Sequence, residues 1–369
     1  MSIIIEPFTA HISKSEQREL AVRLSQARLP DTVDDWSIGL PGNVLRDLRR
    51  RWMAFDWLQF EQELNSFSQY RASIDGQTVH FLHVRSPEPD AMPILLTHGW
   101  PGSIVEFLDV VGPLSDPRRY GADSADAFHC VVPSIPGFAW STPLAGDWDV
   151  PRIAHAWSAL MAALGYRRYG VQGGDWGSAI SRSVGAVDPN HVAGIHLNYL
   201  VTPIPADFSG EGAEADRAAK IQAYLAAPAG YMRVHSTTPQ TLAYALTDSP
   251  IGLLGWLGEK FLRWADPRSP VPTDRILANT AIYWFTRTAG SAARLYAAGR
   301  GMRAGKTAGR PPTGVAVLPQ DIVLPIRSLA EGAEHIVHWT EFEQGGHFAA
   351  LEVPDAFVED VRLFFRNCR

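Results

Sequence analysis

Gly173-Gly174-Asp175-Trp176-Gly177, entered from the β-prone run Tyr169-Gly170-Val171-Gln172, is the stretch that decides the fold. A helix-compatible segment, 178–187, leads away from it. This is the pattern G-x-S-x-G with aspartate in the place of serine. Such a turn passes from strand to helix so sharply that its central side chain stands above the end of a sheet. The exchange narrows the chemistry. A carboxylate attacking a saturated carbon that bears a leaving group yields an ordinary ester, which water later cleaves. The same carboxylate attacking an ester carbonyl would yield a mixed anhydride that readily reverts. Asp175 therefore points to epoxides or carbon–halogen bonds before esters or peptides.

Outward from that turn, apolar runs recur at 93–97, 127–133, 192–199, 315–318 and 335–339. Helical stretches at 105–114, 155–164 and 178–187 separate the earlier ones. Alternating strands and helices imply a parallel sheet covered on both faces. The runs 68–74 and 77–84 meet at Asp75-Gly76, a two-residue hairpin signal. Residues 1–67 read as a helical extension: Ser13 and Glu16 form a capping-box pattern, and a second helix is expected over 44–67. Between 202 and 301 the alternation breaks, and Ala, Leu, Tyr and Trp dominate with Pro239, Pro250 and Pro270 between them. That segment reads as a helical lid. The expected division is an extension (1–67), a core in two parts (68–201 and 302–369) and a lid (202–301). Gly305-Lys306-Thr307 resembles the end of a phosphate-binding loop, but the leading glycine falls at Arg300 and no strand precedes it, so 303–310 reads as a solvated surface loop.

The chain has 369 residues, 46% of them hydrophobic and 20% charged, which suits a globular protein with a large core. Its net charge of −6 and lack of a basic block disfavour nucleic acid and anionic membranes as partners. Cys130 and Cys368 are the only cysteines, so a reducing compartment is expected. No long apolar segment marks the N-terminus, and a soluble, cytoplasmic protein without a membrane anchor is the default expectation.

In this architecture a nucleophile is followed along the chain by an acid and then a histidine. Asp321 follows the run ending at Leu318, and His347 sits in Gly345-Gly346-His347-Phe348 after the next run. Asp175 would attack carbon, His347 would deprotonate the water that cleaves the ester, and Asp321 would hold the imidazole. Backbone N–H groups of Trp176 and Trp100 would form the oxyanion hole, the latter in His98-Gly99-Trp100-Pro101-Gly102. Each residue alone has a plainer reading: Asp175 as a turn residue, His347 as structural, Asp321 as part of a loop. Their order and their placement after strand-like runs join them. Substrate contacts are expected from Trp100, Pro101, Trp176 and Phe348, with no metal and no organic cofactor.

These motifs, with Ser103 after Gly102 and Ala349-Ala350-Leu351-Glu352 after Phe348, make the chain similar to the microsomal-type epoxide hydrolases of the α/β-hydrolase superfamily. The resemblance spans nearly the whole chain. It implies an α/β-hydrolase fold with a mostly parallel eight-stranded sheet. It also implies two lid tyrosines that protonate the epoxide oxygen, and Tyr231 and Tyr296 match those positions. A phenol stays protonated at neutral pH and suits an alkoxide leaving group; both residues also read as lid core aromatics. Many relatives carry glutamate where this chain has Asp321. A small-molecule epoxide is the expected partner, and a homodimer is left open. The rival readings are a haloalkane or haloacid dehalogenase with the same nucleophile, and a catalytically silent binding module.

Overall fold

The computed structural model describes residues 3–226, 229–299 and 310–369. Its centre is a nine-stranded sheet: β1 (Ile5–Phe8), β2 (Gln69–Ile74), β3 (Gln77–Val84), β4 (Met92–Thr97), β5 (Phe128–Pro133), β6 (Tyr169–Gly173), β7 (Val192–Leu197), β8 (Pro312–Val317) and β9 (His335–Glu341). The spatial order is β1-β2-β3-β5-β4-β6-β7-β8-β9. From β5 to β9 every neighbouring pair is parallel. The three pairs joining β1, β2, β3 and β5 are antiparallel.

The eight expected strands are β2 to β9. β1 is a ninth, supplied by the extension that was read as purely helical. A four-residue strand shows no periodicity, and its backbone partners lie on β2, where Ile5 faces Ala72 and Phe8 faces Gln69. The helix expected over 44–67 is also two helices, Gly42–Met53 and Trp57–Asn65. Asp56 restarts the chain between them by accepting the Gln59 N–H, as an N-cap does. Asp75 and Gly76 both take the left-handed conformation of a tight hairpin, with φ of 49° and 75°.

Successive side chains of a strand point to opposite faces, and here both faces are buried. On one side Leu95, Val131, Val171 and Leu197 pack with Trp157, Leu160 and Ile180. On the other, Ile94, Leu96, Cys130 and Val132 pack with Val110, Phe357, Val361 and Phe364. Two-sided burial is why the central strands read as unbroken apolar runs. Cys130 and Cys368 are buried free thiols. No described helix is long and apolar enough to cross a membrane. The 303–309 part of the loop that resembled a phosphate-binding sequence lies outside the described residues.

Between β7 and β8 the described residues form the helices Ala213–Ala226, Gly230–Thr237, Pro239–Asp248, Pro250–Trp264, Thr273–Thr286 and Ala289–Gly299. The extension grips this insertion through a third cluster, in which Leu20, Leu24, Leu48 and Trp52 meet Ile251, Leu254 and Leu277. Arg275 of the insertion adds charge to the junction. It pairs with Glu63 of the extension at 2.7 Å and with Asp109 of the core. Leu254 is fully buried, so Leu254→Ala is expected to lower unfolding free energy by about 2–5 kcal/mol in urea denaturation. A loss below about 1 kcal/mol would mean that the extension and insertion do not share a packed core.

Candidate active site

Strand β6 ends at Gly173, and the helix Asp175–Val187 begins two residues later. Asp175 bridges them with φ of 49°, a left-handed conformation that costs a non-glycine residue about 1–3 kcal/mol and persists only where its surroundings enforce it. The enforcement is close packing. A Cβ on Gly177 would overlap the Thr97 carbonyl of β4, and one on Gly99 would overlap the Asp175 side chain. Both positions need glycine because backbone must approach backbone or carboxylate there.

The turn aims the Asp175 carboxylate into a buried meeting point of three segments. Its Oδ1 accepts the Trp100 amide N–H at 2.8 Å. Its Oδ2 lies 3.3 Å from His347 Nε2, close enough for charge attraction but without hydrogen-bond alignment. The other imidazole nitrogen, Nδ1, is 2.6 Å from Asp321 Oδ1. A carboxylate oxygen can only accept, so Nδ1 carries the proton. Asp321 stands in the turn after β8, where the Ile322 amide donates to the same oxygen at 2.7 Å. The three residues named from chain order are thus brought together. Of the two expected backbone donors, the Trp100 amide reaches Asp175. Among the described residues no hydrogen bond joins the Trp176 amide to it.

Electrostatics follow from this geometry. Burial opposes charge on His347, but Asp321 and Asp175 outweigh it and the imidazole is pushed up to about 10. Burial pushes Asp321 upward, and the facing imidazole draws it back. The imidazole thus lies between two carboxyl groups, and both favour its charged form.

Aromatic rings from the insertion close over the carboxylate. Tyr231, on the helix Gly230–Thr237, stacks on Trp100 with ring centroids 5.0 Å apart and planes at 13°. Tyr296, on Ala289–Gly299, meets the Trp176 indole edge to face at 4.9 Å. The two tyrosine rings are 6.0 Å apart. Burial first, with neighbouring tyrosines and Asp175 adding, raises both phenols above their ordinary value, so they stay protonated. The Tyr296 hydroxyl is buried without a hydrogen-bond partner among the described residues. Pro101 is buried in the Trp100 loop, and its carbonyl accepts from Asn279 at 2.7 Å. Phe348 stacks on Phe261 at 4.5 Å and meets His347 edge to face, behind the imidazole.

Four neighbours were absent from the sequence-based list of site residues. Tyr199, just past β7, and Trp264 each set a ring 5.2 Å from His347. His235 contacts Trp100 at 4.7 Å and Tyr296 at 5.0 Å. It lies four residues after Tyr231, hence on the same helix face, which is a signal the sequence carried. Half-buried Glu106 is pushed up to about 8, by burial first, with His347 opposing and Asp175 adding. Nothing short of the fold marks Glu106 out from other acidic residues.

Two family models match the chain, one described as the epoxide hydrolase N terminus over residues 5–107 and one as the alpha/beta hydrolase fold over 92–354. The chain is 42% identical to a Stigmatella aurantiaca protein provisionally named an epoxide hydrolase, over 99% of this chain and 86% of that one. It is 30% identical to epoxide hydrolase 1 of Sus scrofa, over 98% of this chain and 88% of that one. The solved structure of Aspergillus niger epoxide hydrolase superposes with a TM-score of 0.88 at 32% identity, covering 100% of this chain and 97% of that one. Matched along nearly its whole length by these family models and relatives, the chain belongs to the epoxide hydrolases, hydrolases that act on epoxides from an α/β-hydrolase fold.

Proposed function

We propose that the protein converts a hydrophobic or aryl epoxide to a vicinal diol through a covalent ester on Asp175. The observation that carries this reading is the division of the Asp175 carboxylate. Oδ1 is held by the Trp100 amide, while Oδ2 lies 3.3 Å from His347 Nε2 without an aligned hydrogen bond and is left to act. In the first step Oδ2 attacks a ring carbon as its C–O bond breaks. The departing oxygen takes a proton from Tyr231 or Tyr296, and a hydroxyalkyl ester results.

The ester changes the site. Asp175 loses its negative charge, and with it one of the two carboxylates that keep His347 protonated. The imidazole then gives up its Nε2 proton, which restores the tyrosine, and becomes a base held in place by Asp321. It takes a proton from water, and the hydroxide adds to the ester carbonyl. The oxygen already seated at the Trp100 amide becomes the oxyanion; such a donor is worth about 3–4 kcal/mol of barrier. Collapse breaks the ester C–O bond, the departing oxygen takes the proton of the added hydroxyl to complete the diol, and Asp175 is left as a carboxylate beside the reprotonated imidazole. Trp100, Trp176, Trp264 and the two tyrosines pack ring against ring around the Trp100 amide that holds Asp175, and this aromatic carbon favours an apolar substrate.

A single turnover of styrene oxide in heavy-oxygen water tests the scheme. The first diol is expected to carry an oxygen from Asp175, and the label is expected in the enzyme. Label passing straight into the first diol would rule out the ester. His347→Ala is expected to stop after the first step, so that intact-protein mass spectrometry finds the protein heavier by one substrate. Absence of that adduct while substrate still binds would count against a two-step route. Tyr231→Phe and Tyr296→Phe are each expected to slow ester formation about 10–100-fold, because each leaves one acid in place, and the double variant is expected to lose more. Stopped-flow measurement of ester formation reads this directly. Equal rates in parent and double variant would remove the tyrosines from the mechanism.

A further inference from the structure

His347 stands in a loop that contains two glycines, yet every backbone N–H from 345 to 348 is captured. The Gly345 amide donates to Asp266 Oδ2 at 2.9 Å. The Gly346 amide donates to Glu352 Oε2 at 2.7 Å, and the Phe348 amide to Glu352 Oε1 at 2.7 Å. The His347 amide donates to the Trp264 carbonyl at 2.9 Å. Glu352 Oε2 takes one more donor, the Asp266 amide, at 2.7 Å. One buried carboxylate thus holds the residues on both sides of the imidazole. It also holds the segment that follows the insertion helix Pro250–Trp264. Close contact leaves no slack: a Cβ on Gly346 would overlap the Trp264 carbonyl.

Burying a carboxylate is unfavourable unless donors replace its water. Burial pushes the Glu352 carboxyl up to about 7, and three amide N–H groups at 2.7 Å oppose that shift by stabilising its charged form. The side chain touches neither Asp175 nor the tyrosines in any hydrogen bond, so the first step does not draw on it. The second step depends on where His347 Nε2 sits relative to a water and the ester carbonyl. Base and water must meet within a fraction of an ångström of the productive arrangement.

We propose that Glu352 is a positioning residue for ester hydrolysis: its carboxylate fixes the His347 loop from both sides and locks it to the end of the insertion helix. The inference rests on the reading that His347 activates water against an Asp175 ester. Glu352→Gln is the informative variant. It preserves size, but its amide NH2 must face at least one backbone N–H, donor against donor.

Rapid-quench single turnover with styrene oxide, read by intact-protein mass spectrometry, separates adduct formation from adduct decay. In Glu352→Gln, formation is expected within about threefold of the parent and decay slower by about tenfold or more, the scale expected of a small misplacement of a catalytic group. Glu352→Asp, which keeps the charge on a shorter arm, is expected to decay at a rate between the two. Parent-like decay in Glu352→Gln, or formation and decay falling by the same factor, would overturn the proposal. If the Gln variant does not fold, the Asp variant decides by the same comparison: slower decay with unchanged formation supports it, and equal decay overturns it. His347→Ala separates this outcome from failure of the mechanism. No adduct there sinks the ester itself, whereas an adduct there beside parent-like decay in Glu352→Gln sinks the role of Glu352 alone.

Discussion

The two oxygens of Asp175 have different neighbours, and the rest of the molecule follows from that difference. One is seated at the Trp100 amide and the other lies beside the imidazole. Neither contact would exist with Asp175 in an ordinary helical conformation. The carboxylate reaches both because its backbone is held at positive φ, and that is held because β4 and the following helix leave no room for any other path. The strain is local, and the sheet with two apolar faces supplies the packing that outweighs it.

Charge is arranged with similar economy. Asp321 and Asp175 both push His347 toward its charged form, and a protonated histidine is no base. Loss of one carboxylate's charge on alkylation would turn the same imidazole into one. The nucleophile would thus control the base without any movement of the chain. The tyrosines are treated in the opposite way. Burial and nearby negative charge keep both phenols protonated. Tyr231, Trp264 and Tyr296 of this site come from the insertion, the insertion is braced by the extension, and Arg275 ties both to the core. The extension therefore helps to hold those rings in place, although it lends no side chain to the group of Asp175, Asp321 and His347.

Much of the fold was legible because two-sided burial writes itself as apolar runs, and because Asp75-Gly76 and the Ser13–Glu16 capping box are local chemistry. β1 was illegible, since an edge strand of four residues exists only where β2 offers its backbone. The break at Asp56 is a capping event within a continuous helical pattern, which periodicity passes over. At the site, Asp175, Asp321 and His347 were readable from order and from the glycines beside them. Tyr199, Trp264 and Glu106 were not, because nothing in their neighbours distinguishes them from core aromatics or a solvated acid.

Residue order alone determined the turn, the carboxylate it carries, and the alternation that builds a doubly covered sheet. Those are short-range matters, set by which side chains and backbone angles a few neighbouring residues allow. Only the tertiary structure decided that the Trp100 amide, not that of Trp176, holds the resting carboxylate. It likewise decided that Phe348 packs behind the imidazole and that Glu352 clamps the loop of the base. These depend on segments up to 86 positions apart in the chain meeting within hydrogen-bond distance, and no local pattern records where a distant amide will point.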